Sequence, residues 1–115
     1  MKEGLRVKIT IIILNTIYAL FITILSIYSL MRPKIRYNSV FGIIGALLLL
    51  IASLYLQTNR TVALLSEFLG LISIQIQAYR NGKALYAKVH ISHHVVRAIL
   101  HLLIFSIFVA SYLWK

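Results

Sequence analysis

Four long apolar runs, each set off by a short polar or basic break, leave this chain very few folds to choose from. They cover approximately residues 9–31, 39–56, 61–79 and 91–114. At 1.5 Å per residue, a helix of about 20 residues crosses the roughly 30 Å hydrocarbon core of a bilayer. Inside that core every backbone N–H and C=O must be satisfied within the protein, which restricts spanning structures to helices and closed barrels. Barrel strands alternate apolar and polar residues, and these runs do not. The expectation is an all-α, polytopic membrane protein, with residues 1–115 forming one domain of four transmembrane helices joined by short loops.

Composition removes the soluble alternative. Hydrophobic residues make up 61% of the 115 positions and charged residues only 12%, against about 25% charged in ordinary globular domains. So short a soluble domain leaves too much of its chain at the surface to hide that much apolar area. The chain is therefore expected to be integral to a membrane and multi-pass, such as a cell-membrane protein.

Charge points the same way. Twelve Lys and Arg face two acidic residues, Glu3 and Glu67, for a formal charge of +10. The cations sit in the breaks between apolar runs and form no stripe of the kind that tracks nucleic acid, so anionic lipid headgroups are the expected partner and nucleic acid is not. Cysteine is absent, which excludes disulfides and thiolate chemistry.

Lys2, Arg6 and Lys8 precede the first run, but it is too long for a signal core and no small-residue cleavage site follows it. It reads as a retained anchor, stopped by Pro33. Lys34, Arg36, Tyr37 and Asn38 read as a short wet connection, Gln57 to Arg60 as a tight polar turn, and Arg80 to Lys83 as a third turn with Gly82 ending the helix. In the second run Gly42, Gly45 and Ala46 share a helix face through which a neighbouring backbone can approach closely. Tyr86, Tyr112 and Trp114 suit the two interfaces.

Four spans put the N-terminus, the second loop and the C-terminus on one side. The cations there, Lys2, Arg6, Lys8, Arg60 and Lys115, are nearly balanced by Arg32, Lys34, Arg36, Arg80, Lys83 and Lys88 on the other. The positive-inside rule consequently gives only a weak lean toward cytoplasmic odd-numbered loops.

Glu67 is the acidic residue within a span, about 9 Å along the third run. Desolvation disfavours a bare charge there, so the carboxyl is expected to be neutral or paired. Equal depth in the other helices brings Asn15 level with it, and Asn15 is the expected partner. On the structural reading Glu67→Leu weakens the bundle; on the functional reading Glu67 is a proton or cation site. The small multidrug-resistance exporters are similar in length, helix number and a lone membrane glutamate. Their glutamate lies in the first helix, however, and the first span here has none, so no membership is assigned.

All four histidines lie between positions 90 and 101. His90, His94, Arg97 and His101 are spaced four, three and four residues apart and share one helical stripe. His90, His94 and His101 are candidate ligands for copper or zinc, and a haem would need an axial partner from another helix. The simpler reading is a basic interfacial collar in which Lys83, Lys88, His93 and Arg97 meet lipid headgroups, with His101 deeper, neutral and hydrogen-bonded inside the bundle. Gln75 and Gln77 are expected to bond Arg97 across the third and fourth helices.

No phosphate loop, dinucleotide fingerprint, nucleophile elbow, zinc-protease motif or paired carboxylate site is present. The leading expectation for function is a non-catalytic accessory subunit of a larger membrane complex, such as a respiratory or metal-dependent oxidoreductase, associated with other membrane subunits or with itself. The alternative is a small oligomeric proton- or cation-coupled transporter or channel using Glu67.

Overall fold

A computed structural model describes residues 2–86 and 91–113. It contains four helices, α1 (Lys2–Leu30), α2 (Ser39–Tyr55), α3 (Arg60–Tyr86) and α4 (Ile91–Leu113), and no strand among the described residues. They form an antiparallel bundle measuring 50 × 25 × 20 Å. Helices α1, α3 and α4 are long and apolar enough to cross a membrane, whereas α2 is an apolar helix of 17 residues, about 25 Å long at 1.5 Å per residue.

Two boundaries differ from the sequence expectation. Helix α1 begins at Lys2 and not at Ile9, because no proline lies between them, and Arg6 and Lys8 stay exposed or half-buried. Helix α3 continues past Tyr79 to Tyr86, through the expected turn at Arg80 to Lys83. A single glycine weakens a helix interior by about 1 kcal/mol and does not by itself stop it. Here Gly82 faces the His94 ring, while the Arg80 Nε donates to Asn38 Oδ1 at 2.9 Å.

The first connection is likewise less exposed than expected. Residues 31–38 form successive turns, with Ile35 N donating to Arg32 O and Asn38 N to Ile35 O, both at 3.1 Å. Ile35 and Asn38 are buried under them. At the second connection Asn59 Oδ1 accepts from Val62 N at 3.2 Å, satisfying one of the unpaired N–H groups that open α3.

Packing is closest between α2 and α3. Gly42, Gly45 and Ala46 are buried on this face. A methyl at position 45 would stand 2.8 Å from Gly70 O, and one at position 70 would stand 2.9 Å from Gly45 O. The two backbones therefore touch reciprocally at these glycines, as small residues permit in membrane helices. Two apolar clusters fill the core, one around this contact, built on Ala19, Ile22, Leu49 and Ile74, the other toward the Tyr112 end, on Ile11, Leu56, Ala63 and Phe108.

Helix α4 is the loosest member, resting mainly on α3 and meeting α1 along a thin seam. Its last turns are pinned at one end of the bundle. Tyr112 Oη donates to Leu56 O at 2.7 Å, and its ring lies 5.5 Å from Lys8 Nζ and 5.4 Å from the Arg60 guanidinium. Those four residues come from four different helices or their ends, which gathers the starts of α1 and α3 and the ends of α2 and α4 together.

Candidate functional site: a polar column inside the bundle

Near the middle of α1, Asn15 turns its side chain into the bundle. Its amide nitrogen donates to Leu49 O at 2.8 Å and to Ser53 Oγ at 2.9 Å, both on α2. Glu67, fully enclosed at 0% exposure, projects from α3 beside Asn15. Both N–H groups of Asn15 are already engaged by α2, so the carboxyl gains no donor from it. Glu67 Oε1, Glu67 Oε2 and Asn15 Oδ1 are all buried without a hydrogen-bond partner. The expected neighbour is thus present, and with both Asn15 N–H groups directed to α2 the hydrogen bond open to the pair is one in which a protonated Glu67 donates to Asn15 Oδ1. A buried polar atom left unpaired costs about 1–3 kcal/mol, so three together single out this locus.

One turn further along α1, Tyr18 Oη and His101 Nε2 lie 2.6 Å apart and link α1 to α4. The rings meet edge to face, with centroids 5.8 Å apart. His101 is 6% exposed, so it sits inside the bundle, hydrogen-bonded, as its depth implies. Tyr18 was not singled out from sequence. The available signal was a tyrosine within an aliphatic run, three residues from Asn15 on the same helical face.

Beyond this pair the column widens. Gln77 Nε2 donates to Ser26 Oγ at 3.1 Å, joining α3 to α1 across the bundle. Gly42 of α2 makes room for that bond: the Ser26 hydroxyl and the Gln77 amide occupy the volume that a Cβ at position 42 would fill. Ser73 Oγ donates to Phe41 O at 2.6 Å. Gln75 Nε2 donates to His94 O at 3.2 Å, which leaves Gln75 Oε1 buried and unpaired. The expected bonds between these glutamines and Arg97 are absent: the Gln75 and Gln77 Nε2 groups donate to the α4 backbone and to α1. The reason is reach: Arg97 stays exposed on α4, and its guanidinium does not turn inward to the glutamine oxygens.

The column opens into a cleft of about 530 Å³ between α1, α3 and α4 at the end away from Tyr112, with Gln77, Asn81, His93, His94 and Arg97 among its walls. His94 also packs on Tyr79, with ring centroids 5.3 Å apart. Lys83 is exposed near the end of α3. Lys88 and His90 lie outside the described residues. Among the described residues no group of three His, Cys, Asp or Glu side chains is close enough to hold a metal. His94 stands at the cleft, and the Nε2 of His101 is engaged by Tyr18.

Comparison with protein-family models, with curated proteins and with solved structures finds no match to this chain.

Proposed function

We propose that this chain is a non-catalytic subunit of a larger membrane assembly, crossing the bilayer with all four helices. The observation that carries the reading is the incomplete closure of the bundle. Helix α4 is the least enclosed of the three long helices, and it exposes Val96, Leu102 and Leu103 outward. It meets α1 through a thin seam bridged by the Tyr18 to His101 hydrogen bond. Within lipid there is no hydrophobic drive to close such a seam, since acyl chains are as apolar as leucine, and packing against a complementary helix is what completes it. Helix α2, at about 25 Å, crosses by local thinning of the bilayer or by partner contacts that hold its ends at the interfaces. Mild detergent extraction from the native membrane tests the proposal. Stoichiometric co-purification with other membrane polypeptides is expected, and a chain that elutes alone at every detergent concentration overturns it.

A second reading is favoured by a separate observation, the three unpaired oxygens at Glu67 and Asn15. A proton on the carboxyl, or a small hard cation among the oxygens, supplies what they lack. On this reading the chain assembles with itself and passes a proton or cation through Glu67. Purified chain in vesicles then carries an ion flux that Glu67→Gln abolishes while the assembly stays intact. An unchanged flux in that variant removes the reading.

A further inference from the structure

The cleft at the polar end of the column has a feature that neither reading uses. It is lined by cationic and hydrogen-bonding groups and holds no carboxylate, while its inner walls include Ile22, Leu25 and Ile35. Arg97 is exposed there, one turn along α4 from His101, and among the described residues no protein acceptor is shown bonding it. Asn81 lines the same cleft, and its Oδ1 is buried without a donor. An occupant that satisfies both groups carries an anionic oxygen cluster and, a short distance away, a hydroxyl or ammonium.

The surroundings restrict the source of that occupant. Arg32, Lys34, Arg36, Arg80 and Lys83 stand at this end of the bundle, and the only acids of the chain are Glu67, enclosed toward the far half of α3, and Glu3, in the first turn of α1 at the opposite end. The counter-charge must come from outside the chain. Farther along the same α1 and α4 seam, past the Tyr18 to His101 bridge, runs an apolar slot of about 230 Å³ walled by Leu14, Leu100 and Ile104. The cleft thus lies at the membrane edge of an apolar seam, where a headgroup can be held while its chains remain in hydrocarbon. A free anion gains the charge contact but none of the apolar contact.

We propose that this cleft binds the headgroup of an anionic glycerophospholipid, with the phosphate on Arg97 and a headgroup hydroxyl donating to Asn81 Oδ1. Guanidinium recognises phosphate through paired, charge-assisted hydrogen bonds. His93 and His94 flank the phosphate position, and Lys83 adds to the local positive field that draws anionic lipid to this face.

The full chain, purified in mild detergent and supplied with equal amounts of phosphatidylglycerol and phosphatidylcholine, reports the site through native mass spectrometry. Phosphatidylglycerol is expected to be retained about tenfold over phosphatidylcholine, which corresponds to ~1.4 kcal/mol. Arg97→Gln should remove the preference and Arg97→Lys should restore part of it. Asn81→Leu should erase the preference for phosphatidylglycerol over phosphatidic acid, which lacks the headgroup hydroxyl. Arg6→Gln, exposed at the opposite end of the bundle, should change nothing; an equal loss there, or a preference that survives Arg97→Gln with helical circular dichroism unchanged, overturns the site. Displacement of the lipid by millimolar glycerol phosphate would assign the cleft to a soluble anion and overturn the lipid as occupant.

Discussion

The Tyr18 hydroxyl lies 2.6 Å from Nε2 of His101, joining the first and last helices across their seam. On either side of this bridge the seam opens, into the apolar slot toward Phe108 and into the polar cleft toward Arg97. The pair therefore decides how firmly α4 is held to α1.

Removing the hydroxyl tests that role. Tyr18→Phe keeps the ring contact and leaves His101 without its partner. The expected loss is about 0.6 kcal/mol and at most about 1.7 kcal/mol, the range for hydrogen bonds between membrane helices. A double-mutant cycle with His101→Phe, read from unfolding in mixed micelles, should show coupling of that size. Additivity of the two variants would mean that the bridge contributes nothing to stability.

Glycine positions separate by what a methyl would meet. Alanine in a helix interior gains up to about 1 kcal/mol over glycine. At Gly45 and Gly70 the added methyl meets a carbonyl of the facing backbone at 2.8 and 2.9 Å, so the helices must part, and a net loss of about 1–2 kcal/mol is expected. At Gly82 the nearest atom is His94 Nε2 at 3.5 Å, an ordinary contact. Gly82→Ala should be neutral or stabilising. Thermal midpoints of the three variants in one detergent make the comparison.

Glu67→Leu distinguishes an unpaired carboxyl from one that a proton or ion completes. The sequence expectation of a weakened bundle rests on a hydrogen bond to Asn15, which an ionised carboxyl does not make while both Asn15 N–H groups serve α2. Leucine removes two unpaired oxygens at similar volume, an exchange that is nearly neutral or stabilising. A loss of more than about 1 kcal/mol would show that a bound proton, ion or partner group completes the site.

Topology is tested by single cysteines at two exposed loop positions. Lys34→Cys, between α1 and α2, and Thr58→Cys, between α2 and α3, should label from opposite faces of the membrane, since α2 lies between them. Labelling from the same face would make α2 a helix that does not cross. Position 82, within α3 and half-buried, is a poor reporter of sidedness.

Lengths and spacing of the apolar runs determined the four helices, because a run of that length with at most one charged residue has one economical environment and one satisfied backbone form. The same spacing placed Gly42, Gly45 and Ala46 on one face and brought Asn15 to the depth of Glu67, since both follow from 1.5 Å of rise and 100° of turn per residue. What it did not contain was the choice among polar partners. Gln75 and Gln77 can each reach several acceptors, and which one they take depends on how α1, α3 and α4 are rotated and spaced. The reciprocal contact of Gly45 with Gly70, the bridge from Tyr18 to His101, and the burial of Asn38 under Arg80 all join residues far apart in sequence. Such pairings are fixed when helices with similar apolar faces settle into one packing, because only then are close backbone approach and hydrogen-bond geometry defined; local pattern carries no information about either.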